Sequence, residues 1–422
     1  MNPVFQLSCA LLFSLLLLPS GPAAHAARVF RAGAAAVNVT PTKLPVRTAG
    51  SIRETWNSVI TDQLHVRCLV LDDGGHQVAI ATVDTCLMGR AMLDQAKGVA
   101  MRATGIPTAN MLISATHAHS APAVDHAHGT TPHLDYREFL TGKIAEAIQQ
   151  AHANLRPAQI GWGVGECSEY VFCRRWLMKP GTAFTIPFTD ARTNRAQMNP
   201  GNTNPNKIRA TGPADPAVTV LLVKGLDGRP ISLLGNYSTH YAGAPGISAD
   251  YFGVFADEVA KRLGAEKQSP PFVGLISNGA SGDANCTDVA SPKRKKYDRF
   301  IVAKAVVDAA MKAVDTMKFH DWVPVRAAET ELALKVRKPG PAEVTEARAY
   351  LRKNVGDRPI KTWPEDYARE TVLLSEWPDR HRFKLQALRI GDFGFAAAPC
   401  ELYGRTGLQI KADSPFPTTM VV

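Results

Sequence analysis

Apolar residues occur along this chain in two arrangements. Short runs end abruptly in turn residues, as strands do, and longer stretches repeat every three or four positions, as amphipathic helices do. After Phe30 comes Arg-Ala-Gly-Ala-Ala-Ala-Val-Asn-Val-Thr, small and β-branched residues that stop at Pro41. Residues 64–71 and 77–83 read as strands flanking Asp72-Asp73-Gly74-Gly75, a hairpin turn. Residues 91–103 have helical spacing (Met92, Ala96, Val99, Ala103), closed by Gly105 and Pro107. The next apolar run carries the chain through Ile113 into His117. This strand–helix–strand order predicts a parallel pair with Asp84 and His117 at carboxyl ends.

Residues 135–155 form the clearest helical stripe, with Phe139, Leu140, Ile144, Ala147, Ile148, Ala151 and Leu155, ended by Pro157. From 181 to 212 the chain is polar and rich in Asn, Pro and Gly, which predicts a lid or binding loop without regular structure. A second hairpin, 218–223 and 231–237 around Leu226-Asp227-Gly228-Arg229, runs into His240. Then come a helix at 251–263, a strand at 272–276 ending in the loop Ser277 to Asp283, and helices near 300–314 and 341–353. A last hairpin, 383–390 and 393–398, reaches Glu401. The predicted fold class is α/β: a mixed, largely parallel β-sheet core flanked by helices, with the active site at the carboxyl ends of strands.

Hydrophobic content of 45% and charged content of 20% are those of a globular protein. Residues 1–26 differ: they carry no charged residue, residues 10–18 are almost wholly apolar, and Ala24-His25-Ala26 is a small-x-small cleavage pattern. Despite the missing positive amino-terminal region, this predicts a signal peptide at 1–26, too short to span a bilayer. The expectation is a secreted or periplasmic protein with one catalytic domain at 27–422 and no transmembrane span after signal removal. The net charge of +10 suits anionic substrates or peripheral membrane contact. The densest basic cluster, Lys293-Arg294-Lys295-Lys296, reads as a solvated helix start. No aromatic–basic interleaving points to nucleic acid. Of seven cysteines, Cys9 lies in the leader; Cys167 and Cys173 are near enough to pair, and the connectivity stays open.

Candidate chemistry sits at the strand ends. His117 and His119, two apart, share one face of an extended segment. Asp84, His240, the loop from Asn278 to Asp283, and Glu401 each follow an apolar strand. Two histidines and a carboxylate with an open position form a common catalytic zinc set, which activates water and polarises a carbonyl. Asp84 and Asp250 read equally as ligand-orienting groups or as turn-stabilising carboxylates. His126, His128 and His133 read as surface histidines, and Cys400 as a packing residue.

In this order, several segments resemble the catalytic N-terminal domain of the neutral/alkaline (non-lysosomal) ceramidases. They are Arg-Ala-Gly-Ala-Ala-Ala-Val-Asn-Val-Thr-Pro, Ser114-Ala115-Thr116-His117-Ala118-His119-Ser120-Ala121-Pro122, Phe172-Cys173-Arg174-Arg175, Tyr237-Ser238-Thr239-His240, Ile247-Ser248-Ala249-Asp250, Ser281-Gly282-Asp283, and the stretch from Leu385 to Glu401. The resemblance implies a zinc amidase (an N-acylsphingosine amidohydrolase) that cleaves ceramide or a related N-acyl lipid to a fatty acid and an amine. It implies His117, His240 and Glu401 as Zn2+ ligands, His119 as a proton carrier beside the metal, and Arg174 as a polar substrate contact.

Two departures accompany it. Where that family carries a serine implicated in catalysis, this chain has Asn285, which makes zinc-activated water the expected nucleophile; Ser277 and Ser281 are out of register. The family's tyrosine ligand lies beyond Val422, so the chain reads as C-terminally truncated, its last residues resembling the start of a core strand. Two other readings compete: a non-catalytic zinc- or lipid-binding remnant, and an amidohydrolase acting on a non-sphingolipid amide. The metal-dependent amidohydrolase barrel also opens with His-x-His, but it requires eight regular β/α repeats that are not found here.

Overall fold

The computed structural model describes residues 28–188 and 194–422. The expected leader lies outside them. Within them the chain runs twice through one arrangement of strand, hairpin, helix, parallel strand, helix.

The first pass is β1 (Arg31–Asn38), the small ribbon β2 (Val46–Thr48) and β3 (Thr55–Asn57), the hairpin β4 (His65–Asp72) and β5 (Gln77–Val83), α1 (Arg90–Thr104), β6 (Met111–Ala115) and α2 (Leu134–Ala153). The second is β7 (Arg156–Glu166), short strands β8 (Phe172–Cys173), β9 (Arg175–Met178), β10 (Ala196–Met198) and β11 (Lys207–Ala210), and the hairpin β12 (Ala217–Gly225) and β13 (Pro230–Tyr237). It ends with α3 (Asp250–Arg262), β14 (Val273–Asn278), β15 (Ala284–Asn285) and α4 (Arg299–Asp315). After β16 (Lys318–His320) come β17 (Val325–Lys335), α5 (Pro341–Asn354), α6 (Trp363–Glu376), β18 (Arg380–Ile390), β19 (Phe393–Ala397), α7 (Gly404–Asp413) and β20 (Thr418–Val421).

The main sheet has nine strands in the order β14-β13-β12-β7-β1-β4-β5-β6, with β16 on β7. It is a mixed sheet flanked by helices, as expected of the α/β class. Its pairing is mostly antiparallel rather than largely parallel: six of eight pairings are antiparallel. Tight hairpins can only join antiparallel neighbours, so parallel pairs occur just where α1 and α3 supply crossovers, at the two edges. The two edge strands, β6 and β14, come into contact, and Asn278 Nδ2 donates to Thr116 O across them at 3.4 Å.

One face of the sheet packs on α1–α4 through residues such as Val66, Met92, Ile144, Val220, Phe255 and Val306. The other packs on a second sheet, β17-β18-β19-β20, through Leu69, Leu112, Leu234, Leu275, Leu388, Phe393 and Met420. That second sheet ties the two edges together. Gln386 Nε2 donates to Met111 O on β6 at 3.1 Å, and Asn236 Nδ2 on β13 donates to Val421 O at 3.0 Å. The final residues do enter a core strand, β20, parallel to β19.

Three expectations need correction. The stretch after the 135–155 helix is not a plain terminator: Pro157 already lies in β7, a central strand. Gly161, Gly163 and Gly165 interrupt its apolar alternation because β16 and α4 press on it. A Cβ at Gly165 would sit 2.1 Å from Ala309 O. The polar stretch 181–212 is not without regular structure, since β10 and β11 pair with β9; strands of three or four residues are too short for alternation to register. Cys167 and Cys173 are both buried and unbonded, and the other four described cysteines are free as well.

Candidate metal centre

β6 ends at Ala115, and Thr116 N donates back to Val83 O at 2.9 Å. The next residue, His117, has φ +70, a left-handed backbone that costs a non-glycine residue about 1–3 kcal/mol. Two bonds hold the turn: His117 N donates to Thr85 O at 3.0 Å, and the ring Nδ1 lies 2.8 Å from Cys86 O. His240 follows β13 and is 2% exposed, its Nδ1 lying 3.2 Å from Ser281 O. His119 Nδ1 lies 3.1 Å from Gly50 O.

These three contacts decide the chemistry of the cluster. A carbonyl oxygen only accepts, so each Nδ1 carries the hydrogen, and a ring in the neutral form then presents a bare Nε2. The bare nitrogens face one another: His117 Nε2 is 3.1 Å from His240 Nε2 and 3.0 Å from His119 Nε2. Burial first, then the neighbouring His117, pushes His119 down to about 3; burial, then the Arg174 charge and the two other histidines, lowers His240 too. Nitrogens converging in this way could hold a metal ion, and two histidines with a carboxylate are a donor set that fits zinc.

Glu401, just past β19, completes a group with His117 and His240 whose ligand atoms lie within 4.8 Å of one another. Its Oε1 is 3.7 Å from His117 Nε2 and its Oε2 3.9 Å from Arg174 Nη2, with the side chain 55% exposed. A second group of similar span, Cys86 with His117 and His119, suits a metal less well. The Cys86 Sγ lies 3.9 Å from His117 Nδ1, the ring nitrogen already turned to Cys86 O, and burial, then the Glu401 charge, pushes the metal-free thiol up to about 12.

The junction that delivers Glu401 is closely packed. Gly282 N donates to Leu402 O, and Gly404 N donates to Asp283 Oδ1, both at 2.8 Å. A Cβ at Gly282 would meet Glu401 O at 2.4 Å. Arg174 is held to the same loop: its N donates to Asp283 O at 2.7 Å and its Nη2 to Gly282 O at 2.8 Å. Its Nε is buried with no partner.

Beside His240 opens a cavity of about 370 Å³, lined by Arg174, Asn199, Asn202, Tyr241, Asn285 and Arg294 among others. Asn285, in the expected serine's place, is part of this wall, with its Nδ2 on Asn199 Oδ1 at 2.8 Å. Ser281 faces His240 Nδ1 with its carbonyl at 3.2 Å and its Oγ at 3.5 Å, and Ser277 is buried under Asn236.

Asp84 and Asp250 support loops and lie outside the His117–His240–Glu401 group. Asp84 is fully buried against Arg67 Nη1 at 2.7 Å and the amide of His65. Asp250 accepts from the amides of Ala242, Gly243 and Tyr251, fixing the turn that follows His240. His126 and His128 are exposed, His128 pairing with Asp366 at 2.9 Å; His133 is partly buried. Cys400 is exposed, so it neither packs in a core nor joins the group.

Sequence reasoning missed three contributors. Tyr241 stacks on His119 with ring centroids 4.0 Å apart, and its place next to His240 was the available signal. Gly50 leaves no space for a side chain, since a Cβ there would lie 2.2 Å from His119 Nδ1; nothing local in the sequence shows that. Arg294 lines the cavity rather than starting a helix, for α4 begins at Arg299 under an Asp298 cap.

No family profile matches the chain, and no curated protein matches its sequence. Among solved structures, the neutral ceramidase from Pseudomonas aeruginosa is similar over 93% of this chain and 67% of its own, with a TM-score of 0.64 and 13% identity. A ceramidase complexed with C2 is similar over 91% and 65%, with a TM-score of 0.64 and 14% identity. The fold is that of neutral ceramidase. The chain spans about two thirds of the length of these two proteins. Among the described residues, no helix is long and apolar enough to cross a membrane.

Proposed function

We propose that this chain is an exported, zinc-dependent amidase that hydrolyses the N-acyl bond of ceramide or a related N-acyl amide, with residues 27–422 as its catalytic domain. The observation that carries the reading is the convergence of three bare imidazole nitrogens and Glu401 at loop ends of a ceramidase fold. His117, His240 and Glu401 are the proposed ligands. When bound, zinc supplies Lewis-acid chemistry that activates water and polarises an amide carbonyl.

The chain's own residues do the rest. His119, with its Nδ1 hydrogen committed to Gly50 O, offers Nε2 to take a proton from the attacking water and return it to the leaving nitrogen. Tyr241 stacks on that ring and holds its plane. Arg174 stands in the cavity wall beside His240 and positions a substrate oxygen. Asn285 has no ionisable hydroxyl, so no serine nucleophile is assigned.

The test is zinc content and ceramide hydrolysis by purified residues 27–422, beside His240→Ala and a chelator-treated sample. Stoichiometric zinc and chelator-sensitive release of fatty acid are expected. Zinc without hydrolysis of any N-acyl amide would leave the binding-remnant reading in its place.

A further inference from the structure

The cavity beside His240 differs from a lipid slot in the groups that line it. Its described walls hold two guanidinium groups, Arg174 and Arg294, three asparagine amides (Asn199, Asn202, Asn285), Thr287 and Tyr297, with no Asp or Glu among them. Its apolar surface comes from Ala242, Val289 and the rings of Tyr241 and Tyr297.

The walls are also built in advance. Asn202 Nδ2 donates to Asp288 O at 2.6 Å and Ser291 O at 2.8 Å, while Lys207 Nζ bonds Asn202 O at 2.6 Å and also reaches Val289 O. Thr287 Oγ1 and Tyr297 OH are 2.9 Å apart, and Arg294 lies over the Tyr297 ring at 5.8 Å. Arg174 keeps a buried Nε without a partner. Two cations in a polar pocket stitched by its own hydrogen bonds suit a preformed anion site.

We infer that the substrate carries an anionic oxygen group, a carboxylate or a phosphate, on the amine side of the scissile amide, held between Arg174 and Arg294. This rests on the amidase reading and narrows it, since a neutral ceramide would bring no counter-charge to Arg294 and would leave Arg174 with Glu401 alone, 3.9 Å away.

The test compares three N-dodecanoyl amides with the zinc-loaded protein: N-dodecanoylglycine (carboxylate), its O-phosphorylated ethanolamide analogue (phosphate) and the neutral N-dodecanoylethanolamine. One or both anionic substrates should show kcat/KM at least about tenfold above the neutral one. That ratio should shrink with added salt and fall toward one in Arg294→Gln. A preference for one anion over the other identifies the group. Equal or better hydrolysis of the neutral amide overturns this inference and leaves the amidase reading intact. If none of the three is hydrolysed, ceramide hydrolysis still judges the amidase reading, and calorimetric binding judges the subsite. N-dodecanoylglycine binding no tighter than N-dodecanoylethanolamine overturns the subsite.

Discussion

Thr116 N donates to Val83 O in the first half of the sheet, and Gly279 N donates to Tyr237 O in the second, both at 2.9 Å. These equivalent bonds align the two parallel edge pairs residue by residue. In that alignment Cys86 occupies the position of His240, Ala280 that of His117, and Asp84 that of Ser238. Each half contributes one of the two proposed ligand histidines, yet from opposite strands of the pair: His117 after β6, His240 after β13. Each ring then leans on a carbonyl of the neighbouring strand in its own half, Cys86 O or Ser281 O. The backbone is repeated and the chemistry is not, so the site depends on individual side chains placed on a shared frame.

The largest effects should come from removing one histidine. His117→Ala or His240→Ala is expected to abolish stoichiometric zinc and cut hydrolysis by at least about a thousandfold, while Cys86→Ala, at the matching place in the first half, keeps its zinc. Metal analysis of the three variants checks this. Retention of zinc by His240→Ala would break the two-half assignment.

Next come the buried polar groups that the halves do not share. Arg67 pairs with Asp84 inside the first half, and Thr219 stands at the equivalent β12 position. Arg67→Met should cost about 3–5 kcal/mol by leaving a buried carboxylate unpaired, against under about 1 kcal/mol for Thr219→Val, which breaks no ion pair. Urea denaturation measures both.

Gly50→Ala should cost about 1–3 kcal/mol from its left-handed backbone alone, φ +92. It also displaces the His119 ring, lowering hydrolysis by about 10²–10⁴ with zinc retained. Parallel loss of zinc would show His119 to be a ligand instead.

The smallest effect belongs to the loop after His119, which meets α6. The hydrogen bond to Asp366 raises the His128 pKa above its ordinary 6.5. A raised folded value means its stabilisation is complete below pH 6.5 and disappears as pH climbs through the folded pKa. The group is half-exposed, so the contribution stays under about 1 kcal/mol. The urea midpoint of His128→Gln should fall below the unsubstituted chain's at pH 6 and match it at pH 8.5.

Much of this frame is legible in the sequence. Both hairpins, both crossover helices and the strand ends carrying His117, His240 and Glu401 follow from apolar runs punctuated by Asp-Gly turns. The repeat is not legible, because the halves share geometry rather than residues. β7 is hidden by glycines that only the pressure of α4 explains. Gly50 and Arg294 reach the site from segments with no periodic signal, through contacts that exist only once the sheet edges meet.

Glu401 follows β19, whose hairpin partner β18 is tied to β6 by Gln386. Translation therefore finishes both histidine-bearing halves well before the carboxylate exists, and the last hairpin must settle before Glu401 can reach His117. A nascent or partly folded chain would hold an ion by imidazoles alone. The proposed coordination set would thus be completed late in the chain's maturation, and metal affinity followed during refolding would report when the second sheet has closed.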